Sequence, residues 1–69
     1  MQRQAVDSES IATIAYDETS AVLEIEFADG SNYRYFDVPA DVHRQFKAAD
    51  SKGRFFHRMI RRKYFYERI

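Results

Sequence analysis

Residues 22–36, VLEIEFADGSNYRYF, describe one β-hairpin and restrict how the rest of the chain can fold around it. Residues 22–27 alternate strictly, with apolar side chains at 23, 25 and 27 and glutamates between them. A repeat of two is typical of a strand with one buried and one solvated face. Gly30 then ends a three-residue loop, ADG, whose third position takes a left-handed backbone that favours glycine. The following strand therefore runs back antiparallel over SNYRYF.

The length of that loop decides the register of the hairpin. With three residues in the loop, Ile25 faces Tyr33 on one side of the sheet and Glu24 faces Arg34 on the other, a favourable cross-strand pair. A two-residue loop would set Arg34 against Ile25 and bury its charge among apolar groups, which is unfavourable. We therefore predict the three-residue loop, and with it that Tyr33 and Tyr35 belong to the core. The alternative is a platform on which nucleic-acid bases stack.

The remaining patterns complete an α+β domain with the predicted order β-β-β-α-α-β. IATIAY, residues 11–16, reads as a strand and makes the hairpin a three-stranded antiparallel meander. PADVHRQFKAA, residues 39–49, carries one apolar stripe at helical spacing. KGRFFHRMIRR, residues 52–62, is a second short helix, for which Ser51 is a good N-cap. YFYERI, residues 64–69, is a short C-terminal strand.

The length and composition indicate a single domain over residues 1–69, with residues 1–7 as a flexible start. A chain of 69 residues buries a limited core, and the 16% of aromatic residues compensate because each buries a large area. No cysteine is present, and the two histidines lack a plausible third ligand, so neither a metal nor another cofactor is expected. No apolar run could span a bilayer and no signal peptide opens the chain, so no membrane partner and a cytoplasmic location are expected.

The charge is distributed unevenly along the chain although its formal sum is zero. Residues 1–43 contain two basic and nine acidic side chains, whereas residues 44–69 contain nine basic and two acidic ones. Such asymmetry suggests an anionic partner. The same pattern also arises when an acidic half neutralises a basic half within one small domain.

The basic half supplies the candidate functional residues. Six of them are predicted to form a nucleic-acid-binding surface along one face of the second helix and its ends: Lys52, Arg54, Arg58, Arg61, Arg62 and Lys63. Phosphate contacts are the main source of affinity for such a surface. Ser51, Lys52 and Gly53 form a second candidate, an anion site at the helix start, where free N–H groups and the helix dipole favour negative charge. An ordinary solvated helix face gives the same pattern.

No catalytic constellation is recognisable in the sequence. It has no glycine-rich phosphate loop and no Ser/His/Asp arrangement. His57 has no neighbour in sequence that would orient it as a base. The chain is therefore predicted not to be an enzyme.

Three motifs give the chain a resemblance to a known family. They are the central Tyr-x-Tyr of Tyr33 and Tyr35, the Ser-Lys-Gly of residues 51–53 before Phe55 and Phe56, and the closing Tyr-x-Tyr of Tyr64 and Tyr66. Together they resemble the KTSC domain, from about Val6 to Ile69 within the usual uncertainty of sequence boundaries. That domain occurs at the C-terminus of some lysyl-tRNA synthetases and as short free-standing bacterial and phage proteins.

All four motif tyrosines are predicted to belong to the core, and the family has no established activity. RNA binding has been suggested for the family from its association with synthetases, which is an analogy. This chain has Phe65 where the family often has proline, and Met59 near a position where it often has histidine. Two hypotheses remain. The domain either binds RNA or another nucleic acid through its basic helix face, or it is a protein-interaction or accessory module whose basic face meets an acidic protein surface, such as its own acidic half in a dimer.

Overall fold

The computed structural model describes residues 1–69 and has a five-stranded antiparallel sheet with two helices. The strands lie side by side in chain order, from the first at one edge to the fifth at the other. The strands are β1 (Gln2–Ala5), β2 (Ile11–Asp17), β3 (Val22–Phe27), β4 (Asn32–Tyr35) and β5 (Tyr66–Arg68), and the helices are α1 (Ala40–Ala48) and α2 (Lys52–Met59).

The hairpin of β3 and β4 has the predicted register. Ile25 pairs with Tyr33 and Glu24 with Arg34. The loop closes with a 2.9 Å hydrogen bond that the Gly30 N–H donates to the Phe27 carbonyl. Gly30 has φ +89°, the left-handed backbone that the three-residue loop requires.

Replacing Gly30 with valine should destabilise the domain by about 1–3 kcal/mol, because a β-branched residue is strained at positive φ. The loop has room for the side chain, since an added Cβ would meet no atom within 4 Å. Backbone strain is therefore the whole effect. Gly30→Asn should lose less stability than Gly30→Val, because asparagine tolerates the left-handed conformation. Urea unfolding of both variants measures the difference, and equal midpoints would show that backbone strain does not operate at this loop.

Four strands precede the helices, so the predicted three-stranded meander is wrong. The missing strand is β1, which pairs with β2 through partners such as Arg3 and Ala15 and lies in the segment predicted to be flexible. All four β1 residues are exposed. They carry no alternating apolar pattern because neither face of this edge strand is buried, and a strand without such a pattern escapes prediction from periodicity.

The second helix begins where predicted and ends earlier. The Ser51 side chain accepts a hydrogen bond from the Arg54 N–H at 3.2 Å, which confirms the N-cap. The predicted helix over 52–62 stops at Met59, because Ile60 has a non-helical backbone, with φ −122°, although its side chain is fully buried. The N–H groups of Ile60 and Arg61 both donate to the Phe56 carbonyl, a shared acceptor common at helix ends. Residues 61 and 62 therefore lie in the turn that leads to β5.

The core lies between the helices and the face of the sheet that carries the apolar positions of β3. Phe46 from α1 is fully buried and its neighbour Phe55 from α2 stacks on it at 5.5 Å between ring centroids. The Tyr16 hydroxyl donates to the Val38 carbonyl at 2.6 Å, and its ring stacks on His43 of α1. The buried cluster consists of Ile11, Ile14, Leu23, Ile25, Tyr35, Val38, Phe46, Phe56 and Ile60.

The opposite face of the sheet carries a row of alternating charges that runs from β1 to β5. Glu24 accepts from Arg3 at 2.8 Å and from Arg34 at 2.9 Å. Arg34 also reaches Glu67 at 3.2 Å. Arg3, Arg34 and Glu67 are partly solvated and Glu24 is 14% exposed, so each pair contributes modestly to stability, and the two arginines offset the charges of Glu24 and Glu67. The uncompensated basic residues lie elsewhere.

Candidate functional site

A groove of about 600 Å³ opens between the C-terminal end of α2 and the part of the sheet formed by β4 and β5. Six of its nine lining residues are aromatic, two are arginines and none is acidic. The lining consists of Phe27, Ser31, Tyr33, Tyr35, Phe56, Arg61, Arg62, Tyr64 and Tyr66. All four motif tyrosines and two of the six predicted basic residues therefore meet at one place.

Three tyrosines form a continuous aromatic floor. Tyr33 and Tyr35 alternate along β4 and therefore share one face, and β5 places Tyr66 directly opposite Tyr35. The Tyr66 ring centroid lies 5.8 Å from that of Tyr33 and 5.6 Å from that of Tyr35. The Arg68 guanidinium lies 5.9 Å from the centroid of the Tyr33 ring, within the range of a cation–π contact.

The four motif tyrosines differ in burial. Tyr35 is 3% exposed and belongs to the core, which confirms its predicted place. Tyr33 and Tyr64 are half-buried and pack against the core from the groove. The core prediction is wrong for Tyr66, which is 57% exposed. Its strand β5 lies at the edge of the sheet, and the helices do not reach over it.

Tyr35 is neutral at physiological pH, and its burial favours the neutral form further. Burial, and after it the neighbouring hydroxyls of Tyr33 and Tyr66, raise the pKa of Tyr35 to about 12, while the Arg61 charge opposes the shift. A neutral phenol both donates and accepts hydrogen bonds. The buried centre of the floor is thus uncharged at physiological pH, and the arginines supply the positive charge of the groove.

Arg61 and Arg62 bring positive charge to the rim of this floor. They are placed there because α2 ends at Met59 and the chain turns before β5. Arg61 also lies beside His57, with 3.4 Å between its Nη1 and the ring Nδ1. Lys63 lies just outside the groove, in a shallow depression lined also by the exposed Phe65.

The predicted basic surface is therefore divided rather than continuous. Arg54 and Arg58 remain on the exposed side of α2 and do not line the groove. Lys52 lies at the start of α2, and the rise of the eight helical residues separates it by about 12 Å from the end of the helix where the groove opens. The expected single face of six cations is wrong, because it assumed that the helix continues through residue 62.

The predicted anion site at the start of α2 has acidic surroundings. The Lys52 ammonium donates to the Ala49 carbonyl at 2.6 Å. The cleft that contains Ser51, Lys52 and Gly53 is also lined by three carboxylates, those of Asp7, Glu9 and Asp50. A Cβ on Gly53 would lie 2.6 Å from the Ser10 Oγ, so this glycine admits a close contact within the chain. Geometry and charge at this end of α2 do not favour an anion.

Sequence reasoning missed several lining residues of the groove. Phe27 and Ser31 flank the loop of the β3–β4 hairpin, whereas Phe56 comes from α2, and no local spacing links the hairpin to the helix. The position of Arg68 over Tyr33 could in principle be predicted from the sequence, because Tyr66 and Arg68 share one face of β5. That signal required the register between β4 and β5, which no turn sequence sets.

The structure contains no cluster of three or more histidine, aspartate or glutamate side chains arranged to hold a metal ion. None of its helices has the length and apolar character needed to cross a membrane. An antiparallel sheet with two helices and an aromatic groove at one end of the second helix defines a small α+β domain with one principal surface groove.

The chain belongs to the KTSC domain family, which matches residues 7–64. The predicted resemblance is thereby confirmed. The crystal structure of a KTSC domain protein from Yersinia pestis superposes with a TM-score of 0.96 at 43% identity, covering 99% of this chain and 96% of that chain. The architecture described above is therefore that of a solved member of the family.

Two further relatives show the contexts in which similar sequences occur. An uncharacterised protein of Stutzerimonas stutzeri is 39% identical over 61 residues, which cover 88% of this chain and 86% of that protein. A lysine–tRNA ligase of Trichormus variabilis is 43% identical over 54 residues, which cover 78% of this chain and 10% of the ligase. The chain thus spans about a tenth of the ligase and nearly all of the short protein.

Proposed function

We propose that this domain is a non-catalytic binding module for single-stranded nucleic acid, with RNA as the first candidate. The observation that carries the proposal is the groove in which a floor of tyrosines adjoins Arg61 and Arg62 with no acidic residue in the lining. Proteins that bind single strands without sequence preference combine these two elements, aromatic rings for the bases and cations for the backbone.

The floor offers stacking surface where a base could reach it. Tyr66 exposes more than half of its surface, and Tyr33 lies half-buried beside it at 5.8 Å. Stacking of a base on an aromatic side chain contributes about 1–3 kcal/mol. The groove volume is in the range of pockets that hold small organic molecules, so it has room for an unstacked base.

The arginines favour the phosphates of the same strand. A guanidinium binds phosphate through two parallel N–H···O bonds, and planar guanidinium groups also stack on bases. Arg61 and Arg62 stand at the rim of the floor, so a base on Tyr66 and its flanking phosphates can be contacted together. Relatives named lysine–tRNA ligase, in which a segment of this size matches, support RNA as the nucleic acid.

Tyr66→Ala tests the stacking contact. We expect this variant to bind single-stranded RNA about 5- to 150-fold more weakly, the loss that corresponds to one stacked base. Its fold should be retained, because Tyr66 is largely exposed. Fluorescence anisotropy with labelled RNA, single-stranded DNA and duplex oligomers at two salt concentrations measures the effect.

Tyr66→Phe is the matched control, since it keeps the ring and removes the hydroxyl. It should bind nearly as tightly as the unchanged protein. If the unchanged protein binds no oligomer at low salt, or if Tyr66→Ala binds as well as Tyr66→Phe, the stacking proposal fails.

A protein-interaction module is the second candidate function, favoured by the exposure of Phe65. This side chain is 85% exposed beside the basic Arg62 and Lys63. Exposed aromatics next to cations are typical of protein interfaces as well as of nucleic-acid sites. This candidate predicts no nucleic-acid affinity at low salt and an acidic protein partner that is lost when Arg62 and Lys63 are replaced by glutamate.

A further inference from the structure

The open edge of the sheet at β5 concentrates the exposed apolar side chains of the molecule. Phe65, Tyr66 and Ile69 are 85%, 57% and 51% exposed, and the only other large apolar side chain so exposed is Met1. The opposite edge strand, β1, consists of Gln2, Arg3, Gln4 and Ala5 and shows no comparable patch. An exposed edge with apolar side chains is a template for pairing with another strand.

The backbone of β5 shows which groups are free to pair. Phe36 donates its N–H to the Phe65 carbonyl, and Ile69 donates its N–H to the Asn32 carbonyl, both at 2.9 Å. Backbone groups of alternate residues point to opposite sides of a strand. The odd-numbered residues of this segment therefore bond to β4, and Tyr66 and Arg68 direct their N–H and C=O groups outward.

We propose that β5 is the interface of a symmetric dimer, in which the β5 strand of a second copy pairs antiparallel with it and joins the two sheets. Glu67 lies on the two-fold axis, and Tyr66 faces Arg68 of the second copy. In this register both outward-facing residues of each strand are bonded, which gives four hydrogen bonds. A shift by two residues in either direction sets Tyr66 against Tyr66 or Arg68 against Arg68 and leaves two.

The side chains suit the same register on both faces of the sheet. On the solvated face, Phe65 lies opposite Ile69 of the second copy, so the two exposed apolar side chains that flank the strand cover each other. On the groove face, Arg68 of the second copy lies beside Tyr66, as Arg68 already lies over Tyr33 within one chain. The partner thereby adds a guanidinium to the edge of the groove, although dimerisation does not depend on a ligand.

Glu67 opposes dimerisation, because it lies directly opposite Glu67 of the second copy on the two-fold axis. Like charges directly opposite in a sheet are unfavourable. Arg34 lies 3.2 Å from Glu67 in each copy and offsets part of this repulsion. The formal net charge of the chain is zero, so no long-range repulsion keeps two copies apart. The contact is confined to one short strand on each side, so the dimer is weak and depends on concentration.

Sedimentation velocity of the full chain over a range from micromolar to about millimolar concentration tests the dimer. The unchanged protein should pass from monomer to dimer across this range. Phe65→Asp should remain monomeric, because it places a carboxylate opposite Ile69. Gln2→Asp makes the corresponding change on the β1 edge and should dimerise like the unchanged protein.

Glu67→Gln supplies the distinguishing result, because it should tighten the dimer by about two- to fivefold through removal of the like-charge contact. Non-specific association through the exposed apolar side chains would not become tighter on this substitution. The proposal is overturned if the protein stays monomeric throughout, or if the dimer survives Phe65→Asp. It is also overturned if Gln2→Asp breaks the dimer equally, or if the Glu67→Gln dimer is no tighter than the unchanged one. The measurement contains no nucleic acid, so its failure leaves the proposed function open.

Discussion

Tyr35→Ala should lower the free energy of unfolding by about 3–5 kcal/mol, the loss expected for a large buried aromatic side chain. Tyr35 is 3% exposed and meets Phe56 of α2 edge-to-face at 5.6 Å. Truncation removes this contact and leaves a cavity where β4 meets α2. A small domain has only about 5–15 kcal/mol of stability, so much of it would be lost.

Thermal and urea unfolding of Tyr35→Ala and Tyr35→Phe measure this effect. Tyr35→Phe retains the ring and should stay close to the unchanged protein. An unchanged midpoint for Tyr35→Ala, with loss of nucleic-acid binding alone, would mean that Tyr35 acts only as part of the groove floor.

The double substitution Arg61→Glu with Arg62→Glu should weaken binding to single-stranded RNA by about a hundredfold. That factor corresponds to the removal of two phosphate interactions at the lower end of the range for hydrogen bonds to charged groups. The slope of log affinity against log salt should also shrink by about 0.7 for each phosphate interaction removed, since each one releases condensed counterions when it forms. Stability should change little, because both side chains are exposed.

Arg54→Glu with Arg58→Glu is the matched control for this double substitution. It makes the same change of charge on the exposed side of α2, outside the groove. We expect a smaller loss of affinity, through long-range electrostatics that salt screens. If the control weakens RNA binding as strongly as the groove pair, the interface is the helix face. If the groove pair leaves binding intact, the nucleic-acid proposal should be abandoned.

The central hairpin and the start of α2 follow from short stretches of sequence. The alternation of residues 22–27 and the left-handed turn at Gly30 leave one register that keeps Arg34 out of the core. Ser51 caps α2 because its hydroxyl satisfies an N–H three residues later. These are local effects, in which residues close in sequence select the structure, and they could therefore be predicted.

The edge strand β1 and the end of α2 were harder to predict. The β1 strand has no buried face, so its residues carry no periodic pattern, and its position depends on pairing with β2. Ile60 follows Phe56 by four residues and continues its apolar face, so the spacing predicts a longer helix, yet α2 ends at Met59. Neither event has a sufficient local cause.

The candidate site also combines features that the local sequence determines with features that only tertiary packing determines. That Tyr33 and Tyr35 share a face of the sheet is fixed locally, because side chains alternate along a strand. The part of this face that lies beneath α2 belongs to the core, and the part beyond the end of α2 forms the groove. This division depends on where the helix packs, which no local pattern specifies. Arg61 and Arg62 reach the groove because the helix stops at Met59 and the chain turns towards β5, which the spacing of the arginines does not indicate.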